Sequence, residues 1–266
     1  MPARMPAFQL RNYLTVKGHR MHTRETLTAD AVRLGIEAGD TVFVHSSFKS
    51  IGSVDGGGAA VVGALEDSIG QDGLLLMPSF NLIPKGGEAR AQTWNRDSTP
   101  SSVGWLTELF RTMPGTVRSD HHSHSVAARG LNAKAFVSDH PSLEGMESPW
   151  DRAPWGRTFG TQSPMLKAAR TPNGKVLMLG TDHNSITYCH VIETMYWAWR
   201  KSIRYDASFN RISGEEVFVF WDKLNHQKRG KIGDADCRLF LIREFLDIML
   251  DAVKTDPKRF FKLYQD

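Results

Sequence analysis

The chain has 266 residues, 41% hydrophobic and 23% charged, with a formal net charge of +4. That is the composition of a soluble globular protein, long enough for one large α/β domain or two small ones. It excludes a membrane span, since no apolar run approaches the roughly eighteen residues required. It also excludes a disulfide framework, because Cys189 and Cys237 are the only cysteines. No Lys/Arg-rich block suggests a nucleic-acid surface, and the N-terminus lacks a signal peptide's apolar core. A cytoplasmic location is expected, and the mild positive charge favours an anionic ligand.

Residues 1–25 read as a basic, solvated arm carrying Arg4, Arg11, Lys17, Arg20 and Arg24. Thr28 is placed to cap a helix ending at Gly35 or Gly39, with Ala31, Val32, Leu34 and Ile36 as its apolar positions. Thr41-Val-Phe-Val44 is β-branched and aromatic and predicts a strand. The loop His45-Ser46-Ser47-Phe48-Lys49-Ser50-Ile51-Gly52 follows it, rich in hydroxyl and N–H donors. Gly56-Gly57-Gly58 leads into a helix from Ala59 to about Ile69. Free N–H groups there would suit a phosphate, although a plain strand–helix turn explains the glycines equally well.

Leu74-Leu-Leu-Met77 predicts a second buried strand, with Ser79 and Phe80 at its C-terminal end. Residues 81–102 lack periodicity, and so long a loop in a compact domain is usually functional or disordered. Ser101 or Ser102 caps a helix over 103–113, with Leu106, Leu109 and Phe110 on one face. His121, His122 and His124 invite a metal reading. In a strand, however, His122 and His124 would share a side and His121 would point away, and zinc ligands usually converge from several elements. One functional His in a loop fits better. Residues 130–170 are again loop-rich, and Trp150, Trp155 and Phe159 either pin that loop or wall a substrate.

The most informative stretch is Lys175 to Glu193. Val176-Leu-Met-Leu179 predicts a buried strand, Gly180 ends it, and a polar loop containing Asp182 follows. Asn184 or Ser185 can then cap a helix running to about Lys201. His190 and Glu193 are three residues apart and share one face of that helix. An imidazole titrates near neutrality and can act as a general base, while a carboxylate on its other nitrogen fixes the tautomer. A solvated His–Glu pair without function is the competing reading. Ile186 and Trp197 flank the pair and favour a partly dry setting, where the bond would be stronger. Further on, Glu216-Val-Phe-Val-Phe-Trp221 is strand-like and could pair with 203–211 as a hairpin. A final helix is expected from Gly233 or Asp234 to Lys254, with a stripe of Leu239, Ile242, Phe245, Leu246, Met249, Leu250 and Val253. There is no internal repeat or clear linker, so the expected architecture is α/β in a single domain over residues 1–266: a mixed sheet flanked by helices, long active-site loops, and a C-terminal hairpin plus helix.

Seven segments in this order resemble the aminoglycoside 3-N-acetyltransferase family: His45–Gly52, Gly73–Phe80, Thr99–Arg111, Pro114–Ser119, His121–Ala128, Phe159–Pro164 and Leu179–Glu193. The likeness continues through Ile232-Gly-Asp-Ala235 into the last helix. Ser79 departs from a more frequent Thr, and Trp94-Asn95 falls in a variable stretch. The resemblance implies a mixed α/β sandwich, acetyl-CoA as cosubstrate and no metal. It implies direct acetyl transfer to an amine of an aminoglycoside, with no nucleic-acid or membrane partner and a homodimer as the candidate assembly. By position, His190 would be the general base, Glu193 its orienting partner, and Asp182 a neighbour shaping the loop or holding the amine. His45, Ser46, Ser47 and Phe48, with Val117, Arg118 and Ser119, would hold CoA; Ser79 and Phe80 would border its pantetheine arm. His124 and Thr187 would join Asp182 around the acceptor. Cys189, about 100° from His190 around the helix, reads as packing. The competing acceptors are another amino sugar or a small amine. A reading of a different class is a metallohydrolase using His121, His124, Asp182 and His190.

Overall fold

The computed structural model describes residues 21–182 and 185–265. In chain order the strands are β1 Met21–His22, β2 Thr41–Ser46, β3 Ser53–Val54, β4 Leu74–Pro78, β5 Val117–Arg118, β6 Val126–Gly130, β7 Gly174–Leu179, β8 Arg211–Ile212, β9 Lys228–Ile232, β10 Ala235–Leu241 and β11 Phe261–Lys262. The helices are α1 Arg24–Leu34, α2 Gly57–Ile69, α3 Gly87–Thr93, α4 Trp105–Thr112, α5 Ala133–Ser138, α6 Pro164–Arg170, α7 Tyr188–Ile203, α8 Gly214–Leu224, α9 Ile242–Thr255 and α10 Pro257–Phe260.

Seven strands form one mixed sheet in the order β5-β6-β4-β2-β7-β10-β9. The central trio β4-β2-β7 is parallel, and β6 and β10 add antiparallel on either side. The three central strands are almost wholly apolar because both faces are covered. Phe43, Leu76, Val176 and Met178 enter one core with residues of α6, α7 and α9. Val42, Val44, Leu75 and Leu177 enter the other with residues of α1, α2 and α4. The chain leaves β2 through α2 on one face and reaches β7 through α6 on the other. A crevice therefore opens beyond the C-terminal ends of β2 and β7, where open α/β sheets take their ligands.

Several local expectations are corrected. Helix α1 is capped by Thr23 rather than Thr28: the Thr23 side chain accepts from Thr26 N, and Thr26 Oγ1 accepts from Thr23 N. Thr28 instead lies inside the helix and donates to the Arg24 carbonyl. Helix α4 begins after Gly104, whose φ of 134° and missing side-chain cap replace the expected Ser101 or Ser102 cap. The excursions at 81–102 and 130–170 contain α3, α5 and α6. Helix α7 starts after Thr187 rather than Ser185, and the alternative cap Asn184 lies outside the described residues. Of the basic arm, residues 1–20 lie outside them too, while Arg24 opens α1 and pairs with Asp67.

The largest correction concerns Glu216–Trp221, which is helical. Ser213 caps α8 by accepting from Glu216 N, Glu215 and Glu216 occupy the first turn, and Val217, Phe218 and Trp221 form its buried face. The β-branched and aromatic content suggested a strand, but the buried positions fall at i, i+1 and i+4. The C-terminal hairpin is β9–β10 instead. Ala235, Cys237 and Leu239 alternate inward along β10, which shortens the final helix to Ile242–Thr255. Trp221 is fully buried, with ring centroids 5.5 Å from Phe240 and 5.0 Å from Phe245. Trp221→Ala is expected to lower unfolding stability by about 3–5 kcal/mol, measured by urea denaturation. A loss below 1 kcal/mol would show that α8 is not fixed by this contact.

Candidate active site

The strongest polar constellation lies on α7. His190 Nδ1 and Glu193 Oε2 are 2.8 Å apart, and the Glu193 side chain is 1% exposed. Its other oxygen accepts the backbone N–H of Ile212 at 2.8 Å and lies 3.5 Å from Arg211 Nε. These donors satisfy the buried carboxylate oxygens. The carboxylate in turn keeps the proton on Nδ1 and leaves Nε2 as the basic atom. Among the described residues Nε2 has no protein partner. The imidazole is 32% exposed and flanked by Trp150 at 5.2 Å and His124 at 6.4 Å between ring centroids.

His190 opens onto a cavity of about 300 Å³ whose lining includes His45, Ser46, Phe80, His124 and Thr187. An adjoining cavity of about 750 Å³ shares Ser46, Thr181 and Ser185 with it and adds Ser47, Phe48, Trp105 and Asp182. The strand ends of β2 and β7 thus bring together His45, Ser46, Ser47, Phe48, Phe80, His124, Asp182, Thr187 and His190. Glu193 stands behind the imidazole.

Ser79, Val117, Arg118 and Ser119 are placed differently. Ser79 is fully buried, and its carbonyl accepts from Arg118 and Ser125. Val117 and Arg118 line a separate cavity of about 460 Å³. The Arg118 guanidinium donates to the carbonyls of Ser79, Arg96 and Thr99 and to Ser125 Oγ, and lies 4.4 Å over the Trp94 ring. Burial pushes its pKa down to about 9. It braces three loops while still lining that cavity beside Arg96, Arg111 and Lys134. Ser119 Oγ is likewise engaged, by Val126 N and His140 Nδ1.

Other participants gave little sequence signal. Asp120 Oδ1 accepts Trp94 Nε1 at 2.7 Å and Trp155 Nε1 at 3.1 Å, pinning both long excursions to one carboxylate. His121–His124 is a turn before β6 rather than a strand. There His121 Nδ1 accepts from Ser123 N and His124 N, and its ring stacks on buried His140 at 4.6 Å. Among the described residues no group of three or more His, Cys, Asp or Glu is arranged to hold a metal ion. Cys189 is buried, and burial followed by the Glu193 charge pushes its thiol well above the ordinary range. His140 has no counterpart in the sequence reading, because only packing brings it to His121.

The sequence profile of the family described as Aminoglycoside 3-N-acetyltransferase matches residues 43–254. The SPbeta prophage-derived aminoglycoside N(3')-acetyltransferase-like protein YokD of Bacillus subtilis is 31% identical over 265 residues, covering 85% of this chain and 90% of YokD. Its crystal structure superposes with a TM-score of 0.71, covering 90% of this chain and 96% of that one. Aminoglycoside N(3)-acetyltransferase VII of Streptomyces paromomycinus is 28% identical over 271 residues, covering 85% and 89%. The fold is shared with AAC-IIIb, solved as a binary complex with CoASH, at 23% identity and a TM-score of 0.70, covering 92% and 100%. Fold and relatives define an acyltransferase. The chain belongs to the aminoglycoside 3-N-acetyltransferase family.

The buried histidines set the acid limit of stability. Burial pushes His45 down to about 3, His122 and His140 down to about 4, and His121 and His124 well below the ordinary value. The unfolded chain takes up these protons near pH 6.5, whereas the folded chain refuses them. Stability is therefore expected to be full above pH 6.5 and to fall steadily toward pH 4. Urea midpoints across this range check it; a flat profile between pH 6.5 and 4.5 would show that the cluster is not held neutral.

Proposed function

We propose that the chain is an N-acetyltransferase that moves the acetyl group of acetyl-CoA to an amine of an aminoglycoside, the 3-amino group of the 2-deoxystreptamine ring. A role in resistance follows from that acceptor. The observation that carries this reading is the 2.8 Å His190–Glu193 pair with Nε2 turned to the cavity. The family's activity supplies the acceptor class, and the CoASH complex of AAC-IIIb supports the donor. The activity is assigned to one domain acting in the cytoplasm.

In this mechanism the His45-Ser46-Ser47-Phe48 loop and Phe80 receive the thioester end of the cofactor. Asp182, His124 and Thr187 border the incoming amine. The amine nitrogen attacks the acetyl carbonyl carbon while His190 Nε2 takes its proton. Glu193 stabilises the imidazolium that forms. Collapse of the tetrahedral intermediate breaks the C–S bond, and the departing CoA sulfur takes the proton from the imidazolium. No acyl-enzyme is formed.

A second acceptor reading, an amino sugar or small amine of lower charge, has its own support. Among the described residues no carboxylate lines the inner cavity, and Asp182 is the acid lining the outer one. Asp97 pairs with Arg96, and Glu147 and Asp151 pair with Arg157. A polycation needs carboxylates that are not already engaged.

Thiol release from acetyl-CoA with a panel of aminoglycosides and simpler amines tests both readings. Wild type is expected to turn over, and His190→Ala is expected to lower kcat about 10²–10⁴-fold. Glu193→Gln is expected to lower kcat while leaving acetyl-CoA KM near wild type. Full activity in His190→Ala would remove His190 as the base. Turnover restricted to low-charge amines would select the second acceptor reading.

A further inference from the structure

The cavity holds a second imidazole, and its surroundings differ from those of His190 in every respect that decides chemistry. His45 is the penultimate residue of β2, is 4% exposed, and lines the same cavity as His190. Its Nε2 accepts the backbone N–H of Thr187 at 3.4 Å. An imidazole nitrogen that accepts an amide proton carries none itself, so in the neutral ring the proton sits on Nδ1. Among the described residues Nδ1 has no hydrogen-bond partner, and it is not among the polar atoms sealed away from solvent. It is therefore a donor available to whatever enters the cavity. The ring is fixed by Phe43, with centroids 5.2 Å apart, and among the described residues no carboxylate bonds to it.

We propose that His45 Nδ1–H is the hydrogen-bond donor that polarises the acetyl carbonyl and stabilises the oxyanion formed when the amine attacks. This rests on the reading that acetyl-CoA places its thioester in this cavity. The two imidazoles then divide the work by environment. His190, backed by a buried carboxylate, accepts a proton. His45, without one, stays neutral and donates a hydrogen bond. Burial holds its pKa near 3, so at working pH it is neither charged nor a competing base. A donor fixed before the reaction stabilises the developing charge without reorganising. The Thr187 contact gives the ring a second role. Thr187 is the cap residue of α7, three positions before His190, so one imidazole orients both the carbonyl donor and the base.

Two substitutions separate these roles. His45→Asn puts an amide N–H where Nδ1 stands and removes the acceptor for Thr187. His45→Gln puts a carbonyl oxygen where Nε2 stands and removes the donor. The assignment expects His45→Gln to lower kcat about 10²–10³-fold, with acetyl-CoA KM within about threefold of wild type. His45→Asn is expected to retain activity within about tenfold. The carbonyl ¹³C resonance of [1-¹³C]acetyl-CoA gives a readout that needs no acceptor. It should move downfield on binding wild type and His45→Asn, and return toward the free position on binding His45→Gln. CoA-induced thermal shifts in both variants establish that the site is folded. An active His45→Gln beside an inactive His45→Asn would make His45 only an anchor for α7 and overturn the assignment. Equal activity in both variants, or an unmoved ¹³C resonance in wild type, would also overturn it. Wild type that neither binds acetyl-CoA nor releases thiol would overturn the functional reading beneath it as well.

Discussion

The site depends on one buried carboxylate. Glu193 has almost no contact with water, so its oxygens must be met by fixed donors, and the structure supplies His190 Nδ1, the Ile212 amide and the nearby Arg211 guanidinium. Two of those donors come from β8, far along the chain. The carboxylate therefore does more than orient an imidazole. It joins α7 to the short β8–β11 ribbon and so sets where His190 stands relative to the ends of β2 and β7. Loss of one donor would leave a buried oxygen underpaired, so the packing of β8 and the position of His190 share an energetic footing here.

The sheet explains why the site is where it is. A parallel trio covered on both faces presents all its strand ends in one direction, and the change of face between α2 and α6 leaves them uncovered. Side chains that could not be tolerated within the strands sit at those ends: His45 and Ser46 on β2, Thr181 and Asp182 beyond β7. Rigid backbone beneath them limits their freedom. The hydrogen bond between His45 and Thr187 then ties the end of β2 to the start of α7, so the cavity walls are joined across the crevice.

Much of this was legible in the sequence, for identifiable reasons. Val42–Val44, Leu74–Met77 and Val176–Leu179 are apolar runs between turn residues, and buried parallel strands have that form. The His190/Glu193 spacing placed two groups on one helix face whatever the surroundings. Other features were not legible because they arise only from packing. Glu216–Trp221 has strand-like residues but helical burial, and its partners Phe240 and Phe245 lie about twenty to thirty positions downstream. The bracing role of Arg118 was hidden because nothing local says that three loop carbonyls converge on its guanidinium. Asp120, Trp94 and Trp155 are separated by 26 and 35 residues, and no spacing rule joins them. The Glu193–Ile212 bond pairs a side chain with a backbone amide, which has no residue signature at all.

The Asp120 clamp bears on how acceptor preference can change within this architecture. Both excursions that rise around the crevice, 81–102 and 130–170, hang from a single oxygen atom through their indoles. Between such tethers a loop can be lengthened, shortened or recharged without disturbing the strand ends that line the cavities. The two loops are not independent, however, because a change that displaces one indole alters the hold on the other. Sequence drift in these loops should therefore come in coupled steps, with paired changes on both, while the strand ends beneath them stay as they are.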